Sequence, residues 1–206
     1  LIDRYLVATE LIGAQALLLL NKCDLLAPTA LAQFEQRLQT FAQLGYPLLF
    51  THTRAADNAS PIAPHFNGRT SILVGQSGVG KSSLVRLLLP DATIRVGQLS
   101  AASGLGRHTT TETTLYHLPH GGDLIDSPGV RDFQLWAATP EDLQRGFREL
   151  QRYAGQCLFQ DCRHNGEPGC VVAVAADAGE VDRRRLESYR SLLQQALQRE
   201  RQRYSS

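Results

Sequence analysis

With 206 residues, 43% of them hydrophobic, the chain can bury one ordinary core and a smaller unit beside it. A net charge of +1 excludes the gross basic footprint of a protein held to nucleic acid by charge alone. No apolar run nears the roughly 18 residues of a membrane-spanning helix, so no membrane partner is expected.

The opening LIDRYLVATE lacks the basic-then-apolar pattern of a signal peptide. The chain begins at Leu1 and contains no methionine, which predicts a fragment of a longer protein. The apolar stretch Gly13–Leu20 predicts a buried strand, Pro28–Leu44 a helix and Pro47–Thr51 a second strand. Residues 53–69, with Pro61 and Pro64, are expected to form an irregular connector. Thr70–Val74 predicts a strand that enters a glycine-rich turn, and Lys81–Leu88 a helix that leaves it. Residues 91–111, rich in Gly, Ser and Thr, are expected to be mobile. Strands at Thr113–Leu118 and Asp123–Ile125 flank the turn HGG, residues 120–122. From Pro140 onward the pattern is helical, with a Cys/His segment between EDLQRGFRELQRY and a long Arg/Gln-rich helix over Val181–Tyr204. Strands alternating with helices predict an α/β fold with a mainly parallel sheet, followed by a small helical domain. The expected domains are residues 1–136 and 137–206, joined by a linker near Ala137–Pro140.

Residues 75–82, GQSGVGKS, match G-x-x-x-x-G-K-[ST] between a predicted strand and a predicted helix. Gly75, Gly78 and Gly80 let the backbone of Gln76, Ser77 and Val79 curl so that its N–H groups converge on phosphate oxygens. The next helix, opening at Lys81, Ser82 and Ser83, presents its unpaired N–H groups to the same anion. Lys81 is expected to reach the β- and γ-phosphates, and the Ser82 hydroxyl to ligate Mg²⁺. DSPG, residues 126–129, ends another predicted strand: Asp126 is expected to hold Mg²⁺ through water, and the Gly129 N–H to sense the γ-phosphate. Between them, a threonine of GRHTTT would complete the Mg²⁺ shell, with Thr110 chosen over Thr109.

The base motif comes first in the chain. In NKCD, residues 21–24, the Asp24 carboxylate can accept from N1–H and the 2-amino group of guanine, whereas adenine would leave it unpaired. Asn21 is expected to hold the guanine edge and the Lys22 stem to lie along the ring, with Cys23 at the variable position, most simply as a buried small residue. The only two lysines, Lys22 and Lys81, stand in these two motifs against nineteen arginines elsewhere. LLFTHT, residues 48–53, fits the loop that backs the guanine. Ligands of a doubly wound sheet bind beyond the carboxyl ends of its strands, so chain order is free to change where strand ends stay neighbours. The order base motif, phosphate loop, switch threonine, DSPG therefore predicts a circularly permuted P-loop GTPase domain.

Cys157-x4-Cys162-x-His164-x5-Cys170 offers three thiolates and an imidazole, the donor set of a closed structural Zn²⁺ site, one ion per chain. The alternatives are reduced structural cysteines or a disulfide. Residues 145–206 hold 11 basic and 8 acidic side chains, a mild lean, and the last helix carries Arg183, Arg184, Arg185, Arg190, Arg199, Arg201 and Arg203, by default a solvated face.

Together, the permuted order, GQSGVGKSS, GRHTTT, DSPGVRDF and the Cys/His segment resemble the bacterial small ribosomal subunit biogenesis GTPases (the RsgA, or YjeQ, family) over essentially the whole chain. The resemblance implies a cytoplasmic GTPase acting late in maturation of the small subunit and stimulated by it, preceded by an N-terminal OB-fold that this chain lacks. It also raises the expectation that the arginine-rich helix touches ribosomal RNA. A monomer is expected. Val130 occupies the position that holds a water-orienting glutamine in Ras-type enzymes, so His108 is the candidate for that role. Two other readings remain: a nucleic-acid-binding zinc module with a passive guanine-nucleotide sensor, and a P-loop ATPase or kinase with an accidental NKCD.

Overall fold

The structure is a computed structural model that describes residues 1–52, 61–89, 113–127, 135 and 138–204. The chain divides into two compact units. One comprises Leu18–Leu38 and Leu48–Arg131; the other comprises Leu1–Leu17, Gln39–Pro47 and Asp132–Ser206. The first carries the strands, the second is helical.

In the sheet unit, β1 (Leu18–Leu20) pairs in parallel with β2 (Leu48–Phe50), Leu19 opposite Leu49. A second sheet holds β3 (Thr70–Leu73), β4 (Thr114–His117) and β5 (Asp123–Asp126) in the order β3-β5-β4. β3 runs parallel to β5 and β4 antiparallel to it, so among the described residues two of the three pairings are parallel. Helix α3 (Lys81–Leu88) buries Leu84, Val85 and Leu88 in one cluster with Leu124 of β5. That placement follows from the sequence: Leu84, Val85 and Leu88 recur at helical spacing, and Leu124 alternates with half-buried neighbours along its strand.

The predicted connector before β3 contributes to the core rather than skirting it. Ile62 is 1% exposed and Phe66 6%, held around the short 3-10 turn Ala63–His65 and packed with α3 and β5. Two prolines masked this pair, because local turn chemistry says nothing about where a turn's apolar residues go.

The helical unit opens with α1 (Ile2–Leu11), which the sequence reading did not foresee. Its buried residues, Leu6 and Val7, are adjacent and make a weak helical stripe. The predicted strand Gly13–Leu20 shrinks to Leu18–Leu20, because α1 closes just before it with Gly13 N–H donating to Glu10 O and Ala14 N–H to Thr9 O. Helix α2 (Pro28–Gln43) contributes residues to both units.

The predicted helix after Pro140 breaks into α4 (Pro140–Gly146) and α5 (Arg148–Gln151), with Phe147 extended at φ −101° and ψ 99° between them. That break lets Phe147, 0% exposed, fill the core. Gly146 lies against α1 so closely that a Cβ would sit 2.6 Å from Val7 Cγ1. After the Cys/His segment come α6 (Val171–Asp177) and α7 (Arg183–Tyr204). The run VVAVAAD is helical and buries Val172, Ala175 and Ala176. Asp182 starts α7 by accepting from the N–H groups of Arg184 and Arg185. The long helix is not a wholly solvated face: Arg185 is 3% exposed. Among the described residues, no helix is long and apolar enough to cross a membrane.

Candidate nucleotide and metal sites

Asn21 follows the carboxyl end of β1, Gly75 that of β3, and Asp126 ends β5. These ends are joined directly. Asn21 Nδ2 donates to Val79 O at 3.0 Å, and Lys22 Nζ to Gly78 O at 2.5 Å. The base motif and the phosphate loop, more than fifty residues apart in sequence, are therefore hydrogen-bonded to one another. Gly80 suits this place by its backbone, at φ +102°, and a Cβ there would also push the Asn21 amide, 2.2 Å away, off its contact.

Behind the base motif, Thr51 N–H donates to Leu20 O at 2.9 Å and Cys23 N–H to Thr51 O at 3.1 Å. The start of the expected guanine-backing loop is thus tied to NKCD; Thr53 lies outside the described residues. Cys23 is half-buried, not buried as expected, because it opens the short 3-10 turn Cys23–Leu25 at the rim, where its thiol donates to Leu20 O. Asp24 stands exposed in the same turn.

Lys81, at the start of α3, donates to Gly75 O at 2.9 Å and to Gln76 O at 3.3 Å, which folds the loop around its own ammonium. Burial lowers the Lys81 pKa and the Asp126 carboxylate opposes that fall. Burial likewise raises Asp126, against the Lys81 charge and the Ser82 hydroxyl. Ser82 Oγ donates to Asp126 Oδ2 at 3.4 Å, whereas Oδ1 is buried with no hydrogen-bond partner. A hydroxyl beside a buried, under-satisfied carboxylate fits a hard divalent cation, which takes oxygen donors. Ser83, Gln76, Ser77 and Val79 complete the loop and the first helical turn. His108, Thr109, Thr110, Gly129 and Val130 lie outside the described residues.

The second site is in the helical unit. The donor atoms of Cys157, Cys162, His164 and Cys170 lie within 4.8 Å of one another, and the cluster could hold a metal ion. His164 Nδ1 faces all three sulfurs, at 3.5 Å from Cys157, 3.6 Å from Cys162 and 3.4 Å from Cys170. All four cysteines are free thiols. Burial pushes the Cys162 thiol up to about 12, with Cys157 and Cys170 adding to the rise, and burial lowers the His164 pKa. Left alone, the Cys162 thiol and the His164 imidazole favour their uncharged forms; a divalent cation supplies the charge that stabilises a thiolate there. The chemistry of the donor set therefore fits a metal.

Around the cluster stand residues that the motif did not reveal. The Glu167 carboxylate accepts from Arg163 N–H and Asn165 N–H, at 3.0 and 2.6 Å. From α7, the Tyr189 hydroxyl donates to Arg163 O at 2.8 Å and Arg190 Nε to His164 O at 2.9 Å. The Gln144 amide of α4 lies 2.6 Å from His164 Nε2. Only Glu167, inside the ligand segment, was within reach of sequence reasoning. Among the described residues, two non-glycines have positive φ, Lys22 at +65° and His164 at +58°. Each lies in one of the two candidate sites, as expected where a site over-determines its backbone.

A mixed α/β unit with a nucleotide-type loop at its strand ends, in one chain with a helical unit that holds a Cys3His cluster, defines the class: a circularly permuted P-loop GTPase fold. The RsgA GTPase family model matches residues 1–136, and the chain belongs to that family. It is 48% identical over 198 residues to "Small ribosomal subunit biogenesis GTPase RsgA" of Marinobacter nauticus, covering 94% of this chain and 56% of that protein. The namesake from Pseudomonas putida is 49% identical over 193 residues, with the same coverage. The chain thus spans just over half the length of these relatives. Among solved structures, YjeQ from Thermotoga maritima superposes with a TM-score of 0.78 at 29% identity, covering 95% of this chain and 65% of that one. YloQ, described as a circularly permuted GTPase, gives 0.76 at 28%, covering 97% and 63%.

Proposed function

We propose that the chain is the GTP-hydrolysing and metal-binding part of a late maturation factor for the small ribosomal subunit, with turnover stimulated by that subunit. The observation that carries the reading is the pair of hydrogen bonds from Asn21 and Lys22 to the phosphate loop, because it brings the guanine-selecting and phosphate-binding motifs to one place despite their reversed order. The names of the relatives supply the ribosomal partner.

In this reading Asp24 selects guanine by accepting two hydrogen bonds, while Asn21 and Lys22 hold the base edge and the ring. The backbone from Gly75 to Ser83 cradles the phosphates, and Lys81 exchanges its carbonyl partners for β- and γ-phosphate oxygens. Ser82, Asp126 and Thr110 hold Mg²⁺, which neutralises phosphate charge when bound. Gly129 senses the γ-phosphate, and His108 orients the attacking water in place of the glutamine that Val130 replaces. The Cys3His cluster holds a structural Zn²⁺, residues 137–206 form the domain built on it, and the exposed arginines of α7 face ribosomal RNA. The protein acts in the cytoplasm as a monomer. Phosphoryl transfer needs positioning and electrostatics more than covalent chemistry, so a partner that aligns His108 and Thr110 with the γ-phosphate accelerates it.

The test is steady-state hydrolysis of GTP and ATP by this chain, with and without purified small ribosomal subunits, beside Asp24→Asn. The expected outcome is GTP-only turnover that rises with subunits, and GDP affinity weakened roughly 100-fold in Asp24→Asn, as loss of two charge-assisted hydrogen bonds implies. Equal use of ATP, or GDP affinity unchanged in Asp24→Asn, overturns the guanine assignment. GDP binding without turnover in either condition leaves a passive sensor instead.

A further inference from the structure

The His164 imidazole is the single nitrogen donor of the Cys3His cluster, and it is 2% exposed. One ring nitrogen, Nδ1, faces the three sulfurs; the other, Nε2, lies 2.6 Å from the amide nitrogen of the Gln144 side chain, whose oxygen comes to the same place on a half-turn of the amide. We propose that Gln144 is a positioning residue of the metal site, whose amide oxygen accepts the His164 Nε2–H and thereby fixes Nδ1 as the metal-binding nitrogen. The proposal rests on the reading of the cluster as a metal site.

A neutral imidazole carries one proton, and a metal must take the lone pair of the bare nitrogen. With Nδ1 turned to the sulfurs, the proton belongs on Nε2. A buried N–H without an acceptor costs about 1–3 kcal/mol, and an acceptor there also orients the ring and raises its basicity toward the metal. The glutamine amide suits both states of the site. Its NH₂ donates to a bare Nε2 when the proton sits on Nδ1, and a half-turn about its last torsion offers the oxygen once the proton moves to Nε2.

Gln144 supplies the contact at the imidazole's far nitrogen. The main chain on either side of His164 is held without the metal, by the Glu167 carboxylate on the N–H groups of Arg163 and Asn165, and by Tyr189 and Arg190 on the carbonyls of Arg163 and His164. Rotation of the imidazole is the freedom that remains, and Gln144 restrains it. Gln144 is itself placed by α4, whose Leu143 and Gly146 are buried to either side of it.

The experiment uses the full chain with Zn²⁺ alone as the probe. Affinity is measured by competition with a chromophoric chelator for wild type, Gln144→Leu and Gln144→Glu, and the zinc-loaded wild type is examined by NMR for its imidazole N–H. The expected results are one tight Zn²⁺ per wild-type chain and a loss of about 10–100-fold in Gln144→Leu, the usual effect of removing such an outer hydrogen bond. Gln144→Glu, which keeps an acceptor, should return to within a few-fold of wild type. The zinc-loaded wild type should show a slowly exchanging Nε2–H. Equal affinity in wild type and Gln144→Leu, or equal weakening in both variants, overturns the proposal by reducing Gln144 to packing. Should Gln144→Leu fail to fold, an Nε2 without a protected proton in zinc-loaded wild type overturns it independently. A wild type that takes up no Zn²⁺ removes the metal reading itself, and the proposal with it.

Discussion

Thr139 and Asp142 close the first turn of α4 on each other: the Thr139 hydroxyl accepts from Asp142 N–H at 3.1 Å, and the Asp142 carboxylate from Thr139 N–H at 3.0 Å. Two N–H groups that the helix would leave unpaired are thereby satisfied. Thr139→Ala should cost about 1 kcal/mol in urea denaturation. The backbone hydrogen bond from Thr139, then the Arg145 side chain, holds the Asp142 carboxyl below its ordinary 3.8. Because the folded pKa is the lower, this contribution is complete above 3.8 and fades as pH falls through the folded value. The stability gap between wild type and Asp142→Asn should therefore narrow below about pH 4 and be level from pH 5 to 7; a gap that widens on acidification contradicts the capping box. The T-x-x-D signal is plain in TPED, residues 139–142, but nothing in it says that α4 delivers the next turn to a buried histidine.

At the scale of the element, the hairpin β4–β5 separates local from tertiary constraint. Both glycines of its turn have positive φ, +85° at Gly121 and +101° at Gly122. A Cβ on Gly121 meets nothing within 4 Å. On Gly122 it would lie 2.6 Å from Arg69 O, 2.8 Å from Arg69 N and 2.8 Å from Phe66 O, all backbone. Those atoms cannot move aside, because Gly68 N–H donates to Gly121 O and Asp123 N–H to Arg69 O in the same crossing. Gly121→Ala should cost roughly 1–2 kcal/mol, the price of an alanine in left-handed backbone. Gly122→Ala adds an overpacking term of similar size or larger and should be clearly the worse in thermal denaturation. Equal losses would mean that conformational strain alone matters. HGG was readable as a turn; which glycine is irreplaceable depends on a segment fifty residues earlier.

Over the helical unit as a whole, charge is buried where the sequence suggested a solvated arginine face. Arg185 Nε and Nη2 reach both Glu149 oxygens, at 2.7 and 3.0 Å, and Nη1 bonds Asp3. Its guanidinium lies 4.5 Å from the Phe147 ring and 5.4 Å from that of Phe41. Close by, Arg148 bonds Glu10 at 2.8 Å and covers the Tyr46 ring at 4.0 Å, while burial and Glu10 raise the Tyr46 pKa. These contacts join α1, the 39–47 segment, α5 and α7, which explains why the chain's beginning groups with its end. Arg185→Met should cost about 3–5 kcal/mol, because Glu149 would stay buried without its partner. Arg185→Met with Glu149→Leu should recover a substantial part of that loss in urea denaturation. If the double variant is no more stable than the single, the pair is not the source of the effect.

What the sequence determined by itself is whatever depends on near neighbours. Residues 75–82 dictate a phosphate-type loop through glycine spacing, NKCD dictates a carboxylate at a strand end, and the Cys/His spacing gathers four donors within one short segment. The helices α2 and α3 and the hairpin were legible for the same reason, since helical and strand periodicities are local properties. The tertiary structure alone decided which of these parts meet. It bonded Asn21 and Lys22 to the phosphate loop, drew Arg185 out of solvent, and set Gln144 against His164. Each is a contact between segments distant in the chain, selected by burial and by the cost of leaving a buried polar group unpaired, and neither condition is written in any one stretch of residues.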